Sequence, residues 1–326
     1  MAMLSVPATR PTWSRSIPLP LDEGPLTVVT SNGRPSLVVA LARTLRPHQW
    51  AKNLLLVLPA LAAHVAWDAP RVMTLIAGFI AFSALASSVY VTNDLVDLPH
   101  DRKHPTKRFR PIASGDVKTP IAIGFAVGLL GASLVLAAQL PWRFQGVLAG
   151  YLLLTTAYSF VLKRRAMMDV IVLASLYATR VVAGAVLMDV PLSRWFLAFS
   201  VFFFFSLALV KRVTELIARP PQDTELLAGR GYRTTDLPVL VSLGSAAVSA
   251  SSLVYCLYIT GDEVNGLYAE PDLLWLGLPI ILYWQARIWM LANRQAIDED
   301  PVAFALRDRM SYLLGIAFMV IVWVAT

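Results

Sequence analysis

Cysteine is nearly absent: Cys256 alone occurs in 326 residues, which excludes an intrachain disulfide and a CxxC metal site. It lies within an apolar run, where a lone thiol behaves as a small buried apolar residue. Charge is scarce too. Only 15% of the residues are charged and 57% are hydrophobic, whereas soluble domains carry about 25% charged residues, so the bulk of the chain belongs in lipid. The four histidines, His48, His64, His100 and His104, lack metal-ligand spacing such as HExxH, which speaks against zinc. No GxSxG elbow and no GxxxxGK[ST] loop occurs, so nucleophilic hydrolase and ATPase readings have no support. The first 42 residues contain no apolar stretch of signal-peptide length followed by a small-residue cleavage site. Rich in Pro, Ser and Thr, they are expected to form a mostly disordered tail ahead of one domain covering 43–326.

What the chain has in quantity is long apolar runs. A helix crossing the hydrocarbon core needs about 20 largely apolar residues. Nine candidates lie near 51–67, 72–96, 119–140, 144–162, 167–188, 192–210, 237–260, 272–292 and 304–325. Counted through the start of the ninth span, the even-numbered loops hold 17 Lys and Arg, and the odd-numbered ones hold only Arg71, Arg143 and Arg194. That bias places the N-terminus and the even-numbered loops in the cytoplasm. The loop at 261–272, with Asp262, Glu263, Glu270 and Asp272 and no base, agrees with an outside location. The expectation is an all-α, multi-pass protein of a bacterial inner membrane. Its net charge of +7 sits in short gaps between apolar runs, which points to membrane orientation and anion binding rather than nucleic acid.

The most informative segment is Asn93-Asp94-Leu95-Val96-Asp97-Leu98-Pro99-His100-Asp101, at the cytoplasmic end of the second span. Asp94, Asp97 and Asp101 stand at i, i+3 and i+7, so they share one face while the helix persists. Three carboxylates near a bilayer repel one another and mark a functional site. A Mg2+ ion compensates them most simply, since it takes one or two carboxylates plus substrate phosphates, and Asn93 can add a neutral oxygen. A basic run follows at once: Arg102, Lys103, Lys107, Arg108 and Arg110. Acids that hold a metal beside bases that hold phosphate are what a diphosphate leaving group requires, although part of that run serves topology alone. After the fourth span come Tyr158, Lys163, Arg164, Arg165 and Asp169. Arg180 falls inside the fifth span, where an unpaired arginine is costly. It must face the interior and meet either an acid or an anionic substrate. Lys211, Arg212 and Glu215 end the sixth span, with Lys211 and Glu215 spaced to pair at i, i+4. Gly229-Arg230-Gly231-Tyr232-Arg233 is a basic loop that either closes over a phosphorylated substrate or is merely solvated.

The Asn93-Asp94-x-x-Asp97-x-x-x-Asp101 pattern resembles the first aspartate-rich motif of the UbiA superfamily of intramembrane prenyltransferases, over roughly residues 43–326. The resemblance implies a helical bundle of nine spans around a central cavity open sideways to lipid. Aromatic prenyltransferases of the superfamily carry a second DxxxD motif after span five or six. Here the loop at 211–236 opens instead with Lys211-Arg212-x-x-Glu215. The stretch from Tyr158 through Lys163 and Asp169 to Arg180 and Gly184 is similar to the decaprenyl-phosphate phosphoribosyltransferase branch. So is Leu45-Arg46-Pro47-His48-Gln49-Trp50-Ala51-Lys52-Asn53. Some members of that branch are fused to a phosphatase carrying a DxDGT signature, which this sequence lacks, so a separate downstream phosphatase is implied.

That resemblance implies Mg2+-dependent transfer of 5-phosphoribose from phosphoribosyl diphosphate to a polyprenyl phosphate, within synthesis of cell-envelope glycoconjugates. Asp94 and Asp97, with Asn93 and Asp101, would hold the metal on the diphosphate. Lys103, Lys107, Arg108 and Arg110 are the first candidates for the donor phosphates, and Lys163, Arg164 and Arg180 for the remaining phosphate groups. Tyr158 and Asp169 are candidates for the ribose hydroxyls, and Lys211 and Glu215 complete the set. A homo-oligomer is compatible with this reading. The alternatives are an aromatic prenyltransferase using a polyprenyl diphosphate and a lipid carrier without catalysis.

Overall fold

The computed structural model describes residues 35–65, 67–220, 226–227, 230–297 and 300–326, so most of the expected tail lies outside the described residues. Every regular element among them is helical. Helix α1, Leu37–Thr44, starts within the expected tail segment, and the Ser36 side chain caps it by accepting from the Val39 N–H. Eight longer helices follow: α2 Ala69–Val96, α3 Thr119–Ala137, α4 Trp142–Phe160, α5 Met168–Leu187, α6 Arg194–Ile217, α7 Leu237–Ile259, α8 Gly277–Asn293 and α9 Arg309–Ala325. Six of these regions, α2, α3, α5, α6, and α7 and α8 with their leading turns, have the length and apolarity to cross a membrane. Helices α4 and α9 occupy the places of the fourth and ninth expected spans. Helix α4 has 19 residues but opens with Arg143 and Gln145, and α9 has 17 residues.

The first expected span is not a continuous helix. It consists of a tight 3-10 segment, Ala51–Leu56, and a short helix, Leu58–Ala62. Pro59 supplies no N–H at the junction, and the segment lies against α5 so closely that a Cβ on Gly184 would stand 2.0 Å from the Leu56 carbonyl oxygen. Only glycine admits that approach.

Apolar side chains point outward as well as inward: Ile123, Val127, Leu134 and Val135 on α3 are all exposed. With lipid as solvent, packing gains little from dehydration, so close approach and interhelical hydrogen bonds carry more of the association. The Ser88 hydroxyl donates to the Ala126 carbonyl and the Ser133 hydroxyl to the Ala81 carbonyl, each at 2.8 Å, tying α2 to α3. The Trp289 indole donates to Ser206 at 2.9 Å between α8 and α6. One apolar core gathers Leu56, Phe82, Phe144, Tyr151 and Leu187, and a second gathers Tyr177, Phe204, Leu207 and Ile288. Together they fix α2, α5 and α6, the helices whose ends carry the charged clusters.

Candidate active site

Helix α2 does not run through its acidic motif. It ends at Val96, Asp97 is the C-cap, and a separate turn, Leu98–Asp101, begins with Pro99 in its first positions. The three carboxylates are therefore divided. Asp94 and Asp101 are buried, 4% and 3% exposed, while Asp97 turns outward to Lys163, 3.8 Å away. Asn93 is half-buried beside them.

Asp94 and Asp101 are bridged by one nitrogen. Arg110 Nη1 donates to Asp94 Oδ1 at 2.9 Å and to Asp101 Oδ2 at 2.6 Å, and Arg46 Nη2 donates to Asp94 Oδ1 at 2.6 Å. Arg46 has φ 53° and ψ 59°, a left-handed conformation costly for a residue with a side chain. Its guanidinium also lies 5.4 Å from the centre of the Tyr90 ring. Among the described residues no cluster of three or more His, Cys, Asp or Glu forms a metal cage. Two hard carboxylates already spanned by one cationic nitrogen nevertheless suit Mg2+, whose remaining positions are ordinarily filled by water and substrate phosphates. Lys103, Lys107 and Arg108 are exposed on the loop that follows, and Arg108 covers the Phe109 ring.

A second cluster joins α4, α5, α6 and the 230–233 loop. Asp169 and Arg212 are both 0% exposed, and Arg212 Nε donates to Asp169 Oδ2 at 2.5 Å. Arg212 also bonds Glu215 and, at 3.2 Å, the Tyr158 hydroxyl. The other Asp169 oxygen accepts from the Tyr232 hydroxyl, which in turn accepts from the Met167 N–H at 2.8 Å. Burial and the Asp169 carboxylate raise the Tyr232 phenol above its ordinary pKa. Arg230 Nη1 donates to Tyr158 at 2.9 Å. Asp169, expected at a ribose hydroxyl, thus has both oxygens engaged inside the protein. Tyr158 stands nearer the surface between two arginines, and Arg164 is exposed. In the basic loop, Gly229 lies outside the described residues, whereas Arg230 and Tyr232 are docked rather than merely solvated.

The expected Lys211–Glu215 pair does not form. Helix α6 commits Glu215 to Arg212 and points Lys211 elsewhere, to Asp300 Oδ2 at 3.2 Å. Lys52 Nζ reaches the same oxygen at 2.8 Å, and the Tyr177 hydroxyl donates to the same carboxylate at 3.0 Å. Burial alone would raise the Asp300 carboxyl, but the Lys211 and Lys52 ammoniums outweigh it and hold it well below the usual carboxylate range. Among the described residues Arg180, buried at mid-helix, meets neutral groups only: Asn53 Oδ1 at 2.9 Å, the Leu176 carbonyl at 2.5 Å and the Tyr151 hydroxyl at 3.1 Å. Its guanidinium lies 5.0–5.9 Å from the ring centres of Tyr151, Phe82 and Tyr177. Of the two partners expected for Arg180, no acid is found among the described residues.

Five participants carry no role in the sequence reading: Arg46, Lys52, Asn53, Tyr177 and Asp300. Arg46, Lys52 and Asn53 sit in the motif that supported the resemblance, and Asp300 precedes a proline in the connection after α8, a helix-start signal. A cavity of about 630 Å³ lies near the opposite end of α5, lined by Pro59, Met188, Phe196, Tyr258 and Leu267 among others. It is separate from the charged clusters.

The UbiA prenyltransferase family matches residues 54–319. The chain is 39% identical over 272 residues to an uncharacterized protein, y4nM, of Sinorhizobium fredii, covering 83% of this chain and about half (53%) of that longer protein. It is 34% identical over 302 residues to the decaprenyl-phosphate phosphoribosyltransferase of Mycobacterium tuberculosis, covering 89% of this chain and 94% of the relative. In fold it is similar to a UbiA homolog from Archaeoglobus fulgidus bound to GPP and Mg2+, with a TM-score of 0.65 at 14% identity over 88% of this chain and 99% of that one. The chain belongs to the UbiA prenyltransferase family.

Proposed function

We infer that this protein transfers 5-phosphoribose from phosphoribosyl diphosphate to a polyprenyl phosphate, with Mg2+ as cofactor and the reaction at the cytoplasmic face of a bacterial inner membrane. The observation that carries this reading is the charge arrangement. Two buried carboxylates, Asp94 and Asp101, sit among arginines at one helix end, and Lys211 and Arg212 occupy α6 where the aromatic branch has acids. A prenyl donor has one diphosphate to hold. A phosphoribosyl donor and a phosphorylated acceptor add two more phosphates, which need bases rather than a second metal. The 34% relative, matched over nearly its whole length, carries the corresponding name.

Asp94 and Asp101, with Asp97 and Asn93 adjacent, would hold Mg2+, which would supply positive charge to stabilise a diphosphate leaving group. Arg46 and Arg110, released from the carboxylates, are placed to take diphosphate oxygens, with Lys103, Lys107 and Arg108 on the same loop. An anionic acceptor phosphate oxygen forms the new bond at C1 with inversion, and diphosphate leaves, so no strong general base is required. The Asp169–Arg212–Tyr158 network positions α4, α5 and the 230–233 loop around the substrate. The product keeps its 5-phosphate, so a phosphatase activity acts next. The bias of Lys and Arg to the even-numbered loops supports a cytoplasmic N-terminus.

The test is transfer of label from phosphoribosyl diphosphate to a short polyprenyl phosphate by purified protein with Mg2+. A labelled lipid that disappears with EDTA, and with Asp94→Ala in a folded variant, is expected. Undiminished turnover by Asp94→Ala would remove the metal-site argument. Prenylation of 4-hydroxybenzoate without phosphoribosyl transfer would return the protein to the aromatic branch.

A further inference from the structure

Among the described residues, the two ammoniums of the Lys52–Lys211–Asp300 cluster share a single carboxylate. Lys52 Nζ and Lys211 Nζ converge on one oxygen, Asp300 Oδ2, and the Tyr177 hydroxyl donates to the same carboxylate. The Tyr177 ring is flanked by Lys52 Nζ at 5.5 Å and the Arg180 guanidinium at 5.9 Å. Two cations therefore share one carboxylate, and Arg180, whose partners among the described residues are neutral, adds a third cation on the far side of the ring. Lys52 and Asp300 side chains are only 11% and 9% exposed, and buried charge in excess calls for a counter-charge. Three donors converging on one oxyanion oxygen are also the geometry in which phosphate is held.

We propose that Lys52, Lys211 and Tyr177 form a receptor for a phosphate monoester dianion, and that the Asp300 carboxylate holds the place of a phosphate oxygen until the ligand arrives. The four groups come from four segments. Lys52 lies in the Ala51–Leu56 turn, Tyr177 on α5 and Lys211 on α6, all locked into the helical core. Asp300 alone belongs to a connection, where its side chain caps a five-residue helix through the Val302 N–H. It is the member that can yield without disturbing the bundle. Lys211, 30% exposed, is the side from which an anion enters. The receptor shares no residue with the Asp94–Asp101 pair and uses no metal. Its ligand is either the 5-phosphate of the donor or the phosphate of the lipid acceptor. The proposal rests on the reading of the chain as a phosphoribosyltransferase for its biological ligand, but not for its anion chemistry.

The test uses full-length protein in detergent with EDTA present, so that the metal site stays silent. Inorganic phosphate, ribose 5-phosphate and farnesyl phosphate are titrated calorimetrically. Wild type is expected to bind all three, and the organic phosphate that binds more tightly than inorganic phosphate identifies the source. Lys52→Gln removes one ammonium contact and should weaken binding at least tenfold. Asp300→Asn keeps the helix cap and the Tyr177 contact while removing the competing charge, and should tighten binding about tenfold. Equal dissociation constants in all three proteins, weaker binding by Asp300→Asn, or no binding by either wild type or Asp300→Asn would overturn the receptor. Should Lys52→Gln fail to fold, Lys211→Gln serves in its place. Phosphate binding with these variant effects but no phosphoribosyl transfer would sink the functional reading and leave the receptor. Transfer that is indifferent to the variants, with KM unchanged for both substrates, would do the reverse.

Discussion

Replacing Asp169 by Asn should be among the most damaging single changes outside the Asn93–Asp101 motif, and the structure sets its size. The side chain is isosteric, so no cavity opens; what changes is the charge facing Arg212. An arginine cannot shed its proton, and this one has no solvent contact. Removing one partner of a buried pair typically costs about 3–5 kcal/mol. Arg212 keeps Glu215, whose side chain is one-third exposed, and the Tyr158 hydroxyl, so the lower end, about 3 kcal/mol, applies. The double variant Asp169→Asn/Arg212→Met removes the stranded charge and should recover much of the loss, because well-packed apolar replacements of buried pairs are often neutral. Equilibrium unfolding in mixed micelles, monitored by tryptophan fluorescence, measures all four corners of the cycle. A loss below about 1 kcal/mol for Asp169→Asn, or additive losses in the double variant, would refute the claim that Asp169 neutralises Arg212.

Gly184→Ala should destabilise by about 1–3 kcal/mol, because its Cβ would meet Leu56 backbone atoms at 2.0–2.8 Å and drive the Ala51–Leu56 turn off α5. A melting midpoint equal to wild type would show that the turn yields freely. Asp300 is held below its ordinary pKa by two ammoniums, so its contribution is complete above the unfolded value of about 3.9 and is lost only as pH falls through the lower folded value. The difference in melting midpoint between wild type and Asp300→Asn should therefore stay constant from pH 7 to pH 5, and a gap that closes within that window contradicts the assignment. Lys211→Asp would set a carboxylate against Asp300; phosphoribosyl transfer should fall at least a hundredfold with no gain of prenyl transfer, and retention of the normal KM for both substrates would count against Lys211 as a phosphate contact.

The helical class and the acidic motif could be read from the chain because each depends on local pattern: runs of about 20 apolar residues and carboxylates at helical spacing. The failures are equally physical. Periodicity treats 51–67 as a span because it counts apolar residues, but it does not register that Pro59 and the contact at Gly184 hold the segment as two short turns. The i, i+3, i+7 rule puts Asp94, Asp97 and Asp101 on one face only if the helix continues, and Pro99 restarts it, so Asp97 diverges. Pairing Lys211 with Glu215 follows from spacing alone. The choice is decided by Asp169, which draws Arg212 inward and Glu215 with it, and by Asp300, 89 residues further on. Partners that distant leave no trace in a local window, which is why Lys52, Tyr177 and Asp300 went unassigned while Asp94 did not.

The partners of α6 also bear on how this family could change substrate. Where the resemblance to aromatic prenyltransferases calls for a second acidic motif, this chain has Lys211 and Arg212, and neither is left as a bare positive charge. Each is met by an acid from outside its own helix, Asp300 for Lys211 and Asp169 for Arg212. A metal and a lysine both neutralise phosphate, but they differ in what they need from the protein. A second Mg2+ requires carboxylates that stay charged beside it, whereas lysines require a carboxylate only while the anion is away. A resident acid on a connection satisfies the second requirement and fails the first. With Lys52 and Lys211 holding phosphate as proposed, the anion site draws on four segments, so no single substitution in α6 is expected to convert one activity into the other.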